Sequence, residues 1–154
     1  MTTNGTPFSD IYDLFLMTIT DYRLTSLFEE SIVDFETFLE AWLRFSISDF
    51  TICDQSLVYT ESTKLFTATL TDKNQIVLAK LMMMYWLKKE VADVTQFRLH
   101  VTDRDFKVPS EAQNLKEKQA YLITIKEECS QMLNDYGYKA ADWTSWYNQD
   151  FSGI

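Results

Sequence analysis

Apolar and polar positions along this chain alternate mostly with a helical period. Ile11, Leu14, Phe15, Ile19 and Tyr22 recur at spacings of three and four, the signature of one helix face turned to a core. Ser9 stands before this stripe as a candidate cap, and Asp10 and Asp13 fall in the first turn, where acids suit the helix dipole. The pattern predicts a helix ending near residues 25–30. A second helix should open at residues 31–34 and run to about Phe50. Phe35, Phe38, Leu39, Trp42 and Leu43 form its apolar stripe, and Glu36 and Glu40 its wet side.

The period changes over residues 53–70. Phe66, Ala68 and Leu70 alternate with Thr67 and Thr69. With the polar stretch 60–64, this predicts a small β-hairpin or an extended loop near residues 55–69. Thr71 then caps a third helix, with Asp72 in its first turn. From Ile76 to Leu87 that helix is apolar nearly all round, which marks a central, buried element. Within it, Met82, Met83 and Met84 are expected as core filler rather than a ligand groove. Lys88, Lys89 and Glu90 return the helix to water. Phe97, Leu99 and Val101 alternate with Arg98 and His100, so that stretch fits either a short strand or a helix end.

A fourth helix follows Pro109, with Ser110 as cap and Glu111 at its start. Leu115, Leu122, Ile125, Cys129, Met132 and Tyr136 form a seam like that of a coiled coil, with Lys118 at the skipped place. Gly137 stands where a helix terminator belongs. Residues 1–7 resemble a frayed arm. Residues 138–154 form an aromatic C-terminal tail with Tyr138, Trp143, Trp146, Tyr147 and Phe151. The expected fold is mainly α: a four-helix-type bundle with the small hairpin or loop and the tail.

Composition narrows this picture. The 154 residues suit one domain, and a chain this long can bury roughly two-thirds of its unfolded surface. At 46% hydrophobic residues, the chain is too apolar for a disordered protein. Three glycines and two prolines are too few for a turn-rich sandwich or barrel. Two cysteines, Cys53 and Cys129, make no disulfide framework and are expected as reduced thiols in a cytosolic protein. The opening residues have no basic stretch leading into an apolar run, so no signal peptide is expected. The longest apolar run is shorter than the roughly 20 residues a bilayer crossing takes.

Charge is uneven. Residues 1–54 hold ten acidic groups against Arg23 and Arg44, a net of −8. Residues 55–154 hold thirteen acidic and twelve basic groups, a net of −1. This disfavours binding to a phosphate backbone, which takes concentrated Lys and Arg. It fits a solubilising surface, or a face that meets a basic partner or repels DNA.

Candidate chemistry is sparse. His100 is the single histidine, and nothing in the sequence brings a nucleophile and a carboxylate to it as a triad demands. One histidine and two distant cysteines make no zinc set. Asp103 and Asp105 lack the glycine of a calcium loop, and no phosphate-cradling glycine motif occurs. The sequence therefore predicts no catalytic, metal or cofactor site. It points instead to a protein that binds and assembles, with Trp143, Trp146, Tyr147 and Phe151 as candidate partner-binding residues, since aromatic anchors are enriched at interface hot spots.

The order of short phrases carries a resemblance. Asp10-Ile-Tyr-Asp-Leu-Phe-Leu lies in the first helix and Phe38-Leu-Glu-Ala-Trp-Leu in the second. Leu70-Thr-Asp caps the third, which contains Met84-Tyr-Trp-Leu. Asp105-Phe-Lys and Ser110-Glu-Ala-Gln-Asn-Leu-Lys open the last. Over residues 8–136 this resembles the small head–tail connector (adaptor, or head-completion) proteins of long-tailed bacteriophages. The resemblance implies a helical bundle without catalysis or cofactor, folded in the host bacterial cytoplasm and placed in the virion neck. It implies a ring of copies, commonly twelve, beneath the portal protein. That ring extends the DNA channel without specific DNA or membrane binding and docks the next neck or tail-completion protein. It also implies that the C-terminal segment engages the portal. A second reading of the acidic first third is a cytosolic protein-binding inhibitor or a DNA mimic.

Overall fold

In a computed structural model, residues 5–19, 22–101 and 109–140 are described. The fold is mainly helical with one small antiparallel sheet. Helix α1 spans Phe8–Leu16, α2 Tyr22–Glu30, α3 Ile32–Asp49, α4 Asp72–Val101 and α5 Pro109–Ala140; strands β1 (Tyr59–Thr60) and β2 (Leu65–Phe66) lie between α3 and α4. Helix α4 is the central element and packs against α1, α3 and α5. Its all-round apolar stretch explains the position: Val77, Leu78, Ala79, Leu81, Met82, Met83, Met84 and Leu87 are buried. The methionine run is thus core, as expected.

The first predicted helix is two. Helix α1 stops at Leu16, where the Thr18 hydroxyl and N–H both donate to the Phe15 carbonyl, at 2.7 and 2.9 Å. That local bonding competes with the next helical turn, although the apolar period runs on through it. The start also differs. Pro7 occupies the cap position in an extended conformation without a side-chain cap bond, and Ser9 lies inside the helix. Phe8, Ile11, Tyr12 and Phe15 form the buried stripe.

Residues 5–7 are not a frayed arm. Thr6 N–H donates to the Ala68 carbonyl at 3.2 Å, and Phe66 N–H donates to the Thr6 carbonyl at 2.9 Å. The Thr6 hydroxyl accepts from Leu70 N–H at 2.8 Å, and Pro7 bridges Leu65. The segment lies along β2 as a third, irregular strand. Gly5 makes this possible: its φ is +144°, and a Cβ there would stand 2.1 Å from the Phe66 carbonyl oxygen.

Between β1 and β2 the chain makes a hairpin, pairing Tyr59 with Phe66 and Thr60 with Leu65. Lys64 closes its turn with a left-handed φ of 51°. Helix α3 begins as predicted, with Asp34 N–H donating to the Ser31 hydroxyl at 3.2 Å, and Leu39 and Leu43 are fully buried. Thr71 caps α4 through Asn74 N–H at 3.4 Å. Helix α4 continues to Val101, so the stretch holding Phe97, Leu99 and Val101 is helical.

Helix α5 starts at Pro109, one residue before the expected cap Ser110; proline suits a first turn because its missing N–H has no intrahelical partner there. The α5 seam is as predicted, with Leu115, Leu122, Ile125, Cys129 and Tyr136 buried. Lys118 at its skipped place reaches Glu90 of α4 at 3.7 Å. Glu90 is therefore buried against α5 rather than returned to water. Gly137 does not end the helix, which runs to Ala140. Glycine inside a helix costs up to about 1 kcal/mol relative to alanine; here it falls in the last turn, next to the buried Tyr136.

Candidate functional site

Trp143, Trp146, Tyr147 and Phe151 lie outside the described residues, as do Asp103 and Asp105. His100 falls in the last turn of α4, but its side chain is likewise outside what is described. Among the described residues, no three His, Cys, Asp or Glu groups gather as a metal site, and no helix is long and apolar enough to cross a membrane. Cys53 and Cys129 are both free. Burial raises both thiol pKa values, which keeps them protonated and poorly nucleophilic. The Cys129 thiol donates to the Lys80 carbonyl at 3.8 Å.

Two polar constellations emerge instead. The first ties the 50–55 loop to α4 and α5. The Tyr136 hydroxyl accepts from Asp54 N–H at 3.1 Å and hydrogen-bonds the Asp54 carboxylate and, at 2.8 Å, Asn74 Oδ1. Having a single proton, it donates to one of these at a time. Asn74, almost fully buried, donates to Asp54 at 2.9 Å and to Gln55 Oε1 at 2.7 Å. Gln55 also accepts from Thr71 N–H at 2.7 Å and donates to the Thr69 carbonyl at 2.9 Å. Lys73 sits 3.9 Å over the Tyr136 ring. Burial and the bond to Asp54 push the Tyr136 phenol up to about 12. Bonds from Tyr136 and Asn74 hold the Asp54 carboxyl below its ordinary value. The Tyr136 proton is shared between Asp54 and Asn74, and the remaining bonds tie the loop to both helices, so the cluster is a structural clasp that fixes the entry to α4.

The second is an open cleft of about 290 Å³ where the N-terminal segment, α1, α3 and the hairpin turn meet. Pro7, Phe8, Ser9 and Tyr12 form one wall, Glu36 and Glu40 a second, and Thr63 and Lys64 a third. Glu40, expected in water, is instead largely covered and doubly bonded. Lys64 donates to it at 2.6 Å and Arg44 at 2.7 Å, and Arg44 also reaches Glu61 at 2.5 Å. Burial would raise the Glu40 carboxyl, but the bonds from Lys64 and Arg44 outweigh it and the net shift is downward. The i, i+4 spacing of Glu40 and Arg44 was a usable sequence signal. Lys64 was not, because only the hairpin brings it to α3.

Two surfaces flank these sites. Asp10, Asp13, Glu29, Glu30, Asp34 and Glu36 are exposed on α1 to α3, so the acidic first third does present its charge outward. Farther along α3, Phe38, Trp42 and Phe45 make successive ring contacts, and Phe45 stacks on Tyr85 of α4 at 5.2 Å. Phe45 is 51% exposed, and the Trp42 indole N–H is buried with no acceptor among the described residues. No family model, curated protein or solved structure matches the chain.

Proposed function

We propose that this chain is a head–tail connector subunit of a tailed bacteriophage: a structural virion protein that forms a ring beneath the portal, extends the DNA channel and docks the tail. The observation that carries the reading is where the phrases behind the resemblance fall in the fold. The first phrase, from Asp10 to Leu16, lies within α1 and supplies three of its four buried residues, Ile11, Tyr12 and Phe15. The phrase from Phe38 to Leu43 holds two of the three side chains that α3 buries. Leu70 and Thr71 lead into α4, and Met84 and Leu87 belong to its core. The phrases of α1, α3 and α4 thus contribute to the core of the domain, and the last contributes Leu115; Asp105 to Lys107 lie outside the described residues.

Two further features support the reading. A ring joined head to tail takes two unlike faces per subunit. The acidic surface of α1 to α3 and the aromatic row from Phe38 to Tyr85 are unlike in this way. An acidic lining would also repel passing DNA. The C-terminal segment 138–154, with Trp143, Trp146, Tyr147 and Phe151, is the part this reading gives to portal contact; its first residues, Tyr138 to Ala140, continue α5, and residues 141–154 lie outside the described residues.

The test is co-sedimentation of the portal protein of the same phage with the full chain and with a chain ended at Ala140. The proposal expects the full chain to sediment with the portal and the shortened chain to remain folded but unbound. Absence of portal binding by the full chain, with salt-sensitive capture of a basic host protein, would replace it by the acidic-inhibitor reading.

A further inference from the structure

We propose that the cleft between α1, α3 and the hairpin turn is a receptor for one arginine side chain of a partner protein, held by Glu36 and Tyr12. The site stands whether or not the chain joins a portal ring.

The cleft is a built feature. Its three walls come from segments far apart in sequence: Pro7 to Tyr12, Glu36 and Glu40, and Thr63 and Lys64. Each wall is fixed. Gly5 and Thr6 lock the first to β2, and Phe8 N–H donates to the Lys64 carbonyl at 2.9 Å. The left-handed backbone of Lys64 sets the third. At about 290 Å³ the space lies at the lower end of ligand pockets, which run about 300–1,000 Å³. That suits one long side chain rather than a cofactor.

The polar groups define what fits. Tyr12 is only 9% exposed; it lines the cleft, and its hydroxyl, which reaches solvent there, has no hydrogen-bond partner among the described residues. Burial, then the charges of Glu40 and Glu36, raise its pKa far above an ordinary phenol, so it stays neutral and can accept a hydrogen bond. Lys64 and Arg44 are both engaged with Glu40, and Arg44 also with Glu61. Counting Glu36, Glu40 and Glu61 against Arg44 and Lys64 leaves one negative charge. Glu36 is exposed at the cleft mouth, with no ion-pair partner among the described residues, and carries that surplus.

An incoming anion would meet Glu36 unpaired, and an apolar group would leave the Tyr12 hydroxyl dry and unbonded. A guanidinium answers both needs. Its planar fork can bond a carboxylate with two N–H groups and still donate to a hydroxyl. Its alkyl stem would lie along Pro7 and Phe8. An ammonium would satisfy the charge but lacks the fork.

The test is amide-resolved NMR titration of the full chain with N-acetyl-arginine amide, using N-acetyl-citrulline amide as the uncharged match in shape. The arginine probe should produce saturable shifts concentrated at Phe8, Tyr12, Glu36, Thr63 and Lys64, with the citrulline probe nearly silent. E36Q, on an exposed position, should weaken binding about tenfold, the loss of one charge-assisted bond. Y12F should weaken it by a smaller factor with an otherwise unchanged spectrum. Equal response to both probes, undiminished binding to E36Q, or unsaturable shifts spread over Asp10, Asp13, Glu29 and Glu30 would each overturn the proposal.

Discussion

Replacing Gly5 with alanine should destabilise the whole domain, although the position lies five residues from the start of the chain. The added Cβ would sit 2.1 Å from the Phe66 carbonyl oxygen, and φ at +144° is disfavoured for any residue with a Cβ. The obstacle is backbone, so no rotamer change relieves it. The chain then has two routes. It can hold a strained conformation, at about 1–3 kcal/mol before the clash is counted. Or residues 5–7 can leave β2, giving up the bonds Thr6 makes with Phe66, Ala68 and Leu70, each with a net value of about 0.5–1.5 kcal/mol. Either route gives a loss of about 2–4 kcal/mol. Urea denaturation followed by far-ultraviolet circular dichroism measures it, and hydrogen exchange at the Phe66 and Leu70 amides distinguishes the routes. Protection falls only if the segment detaches. A loss below about 0.5 kcal/mol, the range of ordinary surface substitutions, with both amides still protected, would refute the requirement for glycine at position 5; unprotected Phe66 and Leu70 amides in the unsubstituted chain would refute the pairing of this segment with the hairpin.

Other substitutions probe the remaining contacts. Leu78→Ala, at a fully buried position on α4, should cost about 2–5 kcal/mol in the same assay. Trp86, on the same helix but only half-buried, should cost less than a fully buried tryptophan. Tyr136→Phe removes the hydroxyl of the clasp and should cost about 1–3 kcal/mol. Gly137→Ala should stabilise by about 0.5–1 kcal/mol, because its Cβ would meet only the end of Ile52 at 3.6 Å. Acid should weaken the fold through Glu40 and Asp54, whose folded pKa values are lowered. Their contribution is complete above the unfolded carboxyl values near about 4 and is lost as pH falls through the folded ones. Base should weaken it through Tyr85 and Tyr136, raised to about 12. Their contribution is complete below the unfolded value near about 10 and disappears as pH rises toward 12. Melting curves across pH check both windows, and a flat profile at either end would contradict the corresponding bonds.

What the sequence made legible was local. The caps Ser31 and Thr71, the all-round apolar stretch of α4 and the one-sided seam of α5 each express a period or a cap within a few residues. Lys118, conspicuous as the polar break in that seam, has an acidic partner in Glu90. What escaped depended on distant partners. The order of residues 5–7 comes from β2, some sixty residues later, and nothing but Gly5 hints at it. The apolar period passes unbroken from Phe15 to Tyr22, so the stop at Leu16 is visible only once Thr18 is seen bonding back to Phe15. Gly137 carries a terminator's identity, but termination is decided by packing, and buried Tyr136 holds the helix together there. The cleft was illegible for the same reason. Glu36 and Glu40 fit an ordinary wet face until the hairpin sets Lys64 against them.

The most direct test of the connector account is electron cryomicroscopy of the full-length chain mixed with the portal protein of the same phage. The account predicts a closed ring of helical density on the tail-facing end of the portal, with the domain of α1 to α5 repeated around the axis and the C-terminal segment reaching the portal. A bare portal, with the chain remaining monomeric in solution at the same concentration, would contradict it.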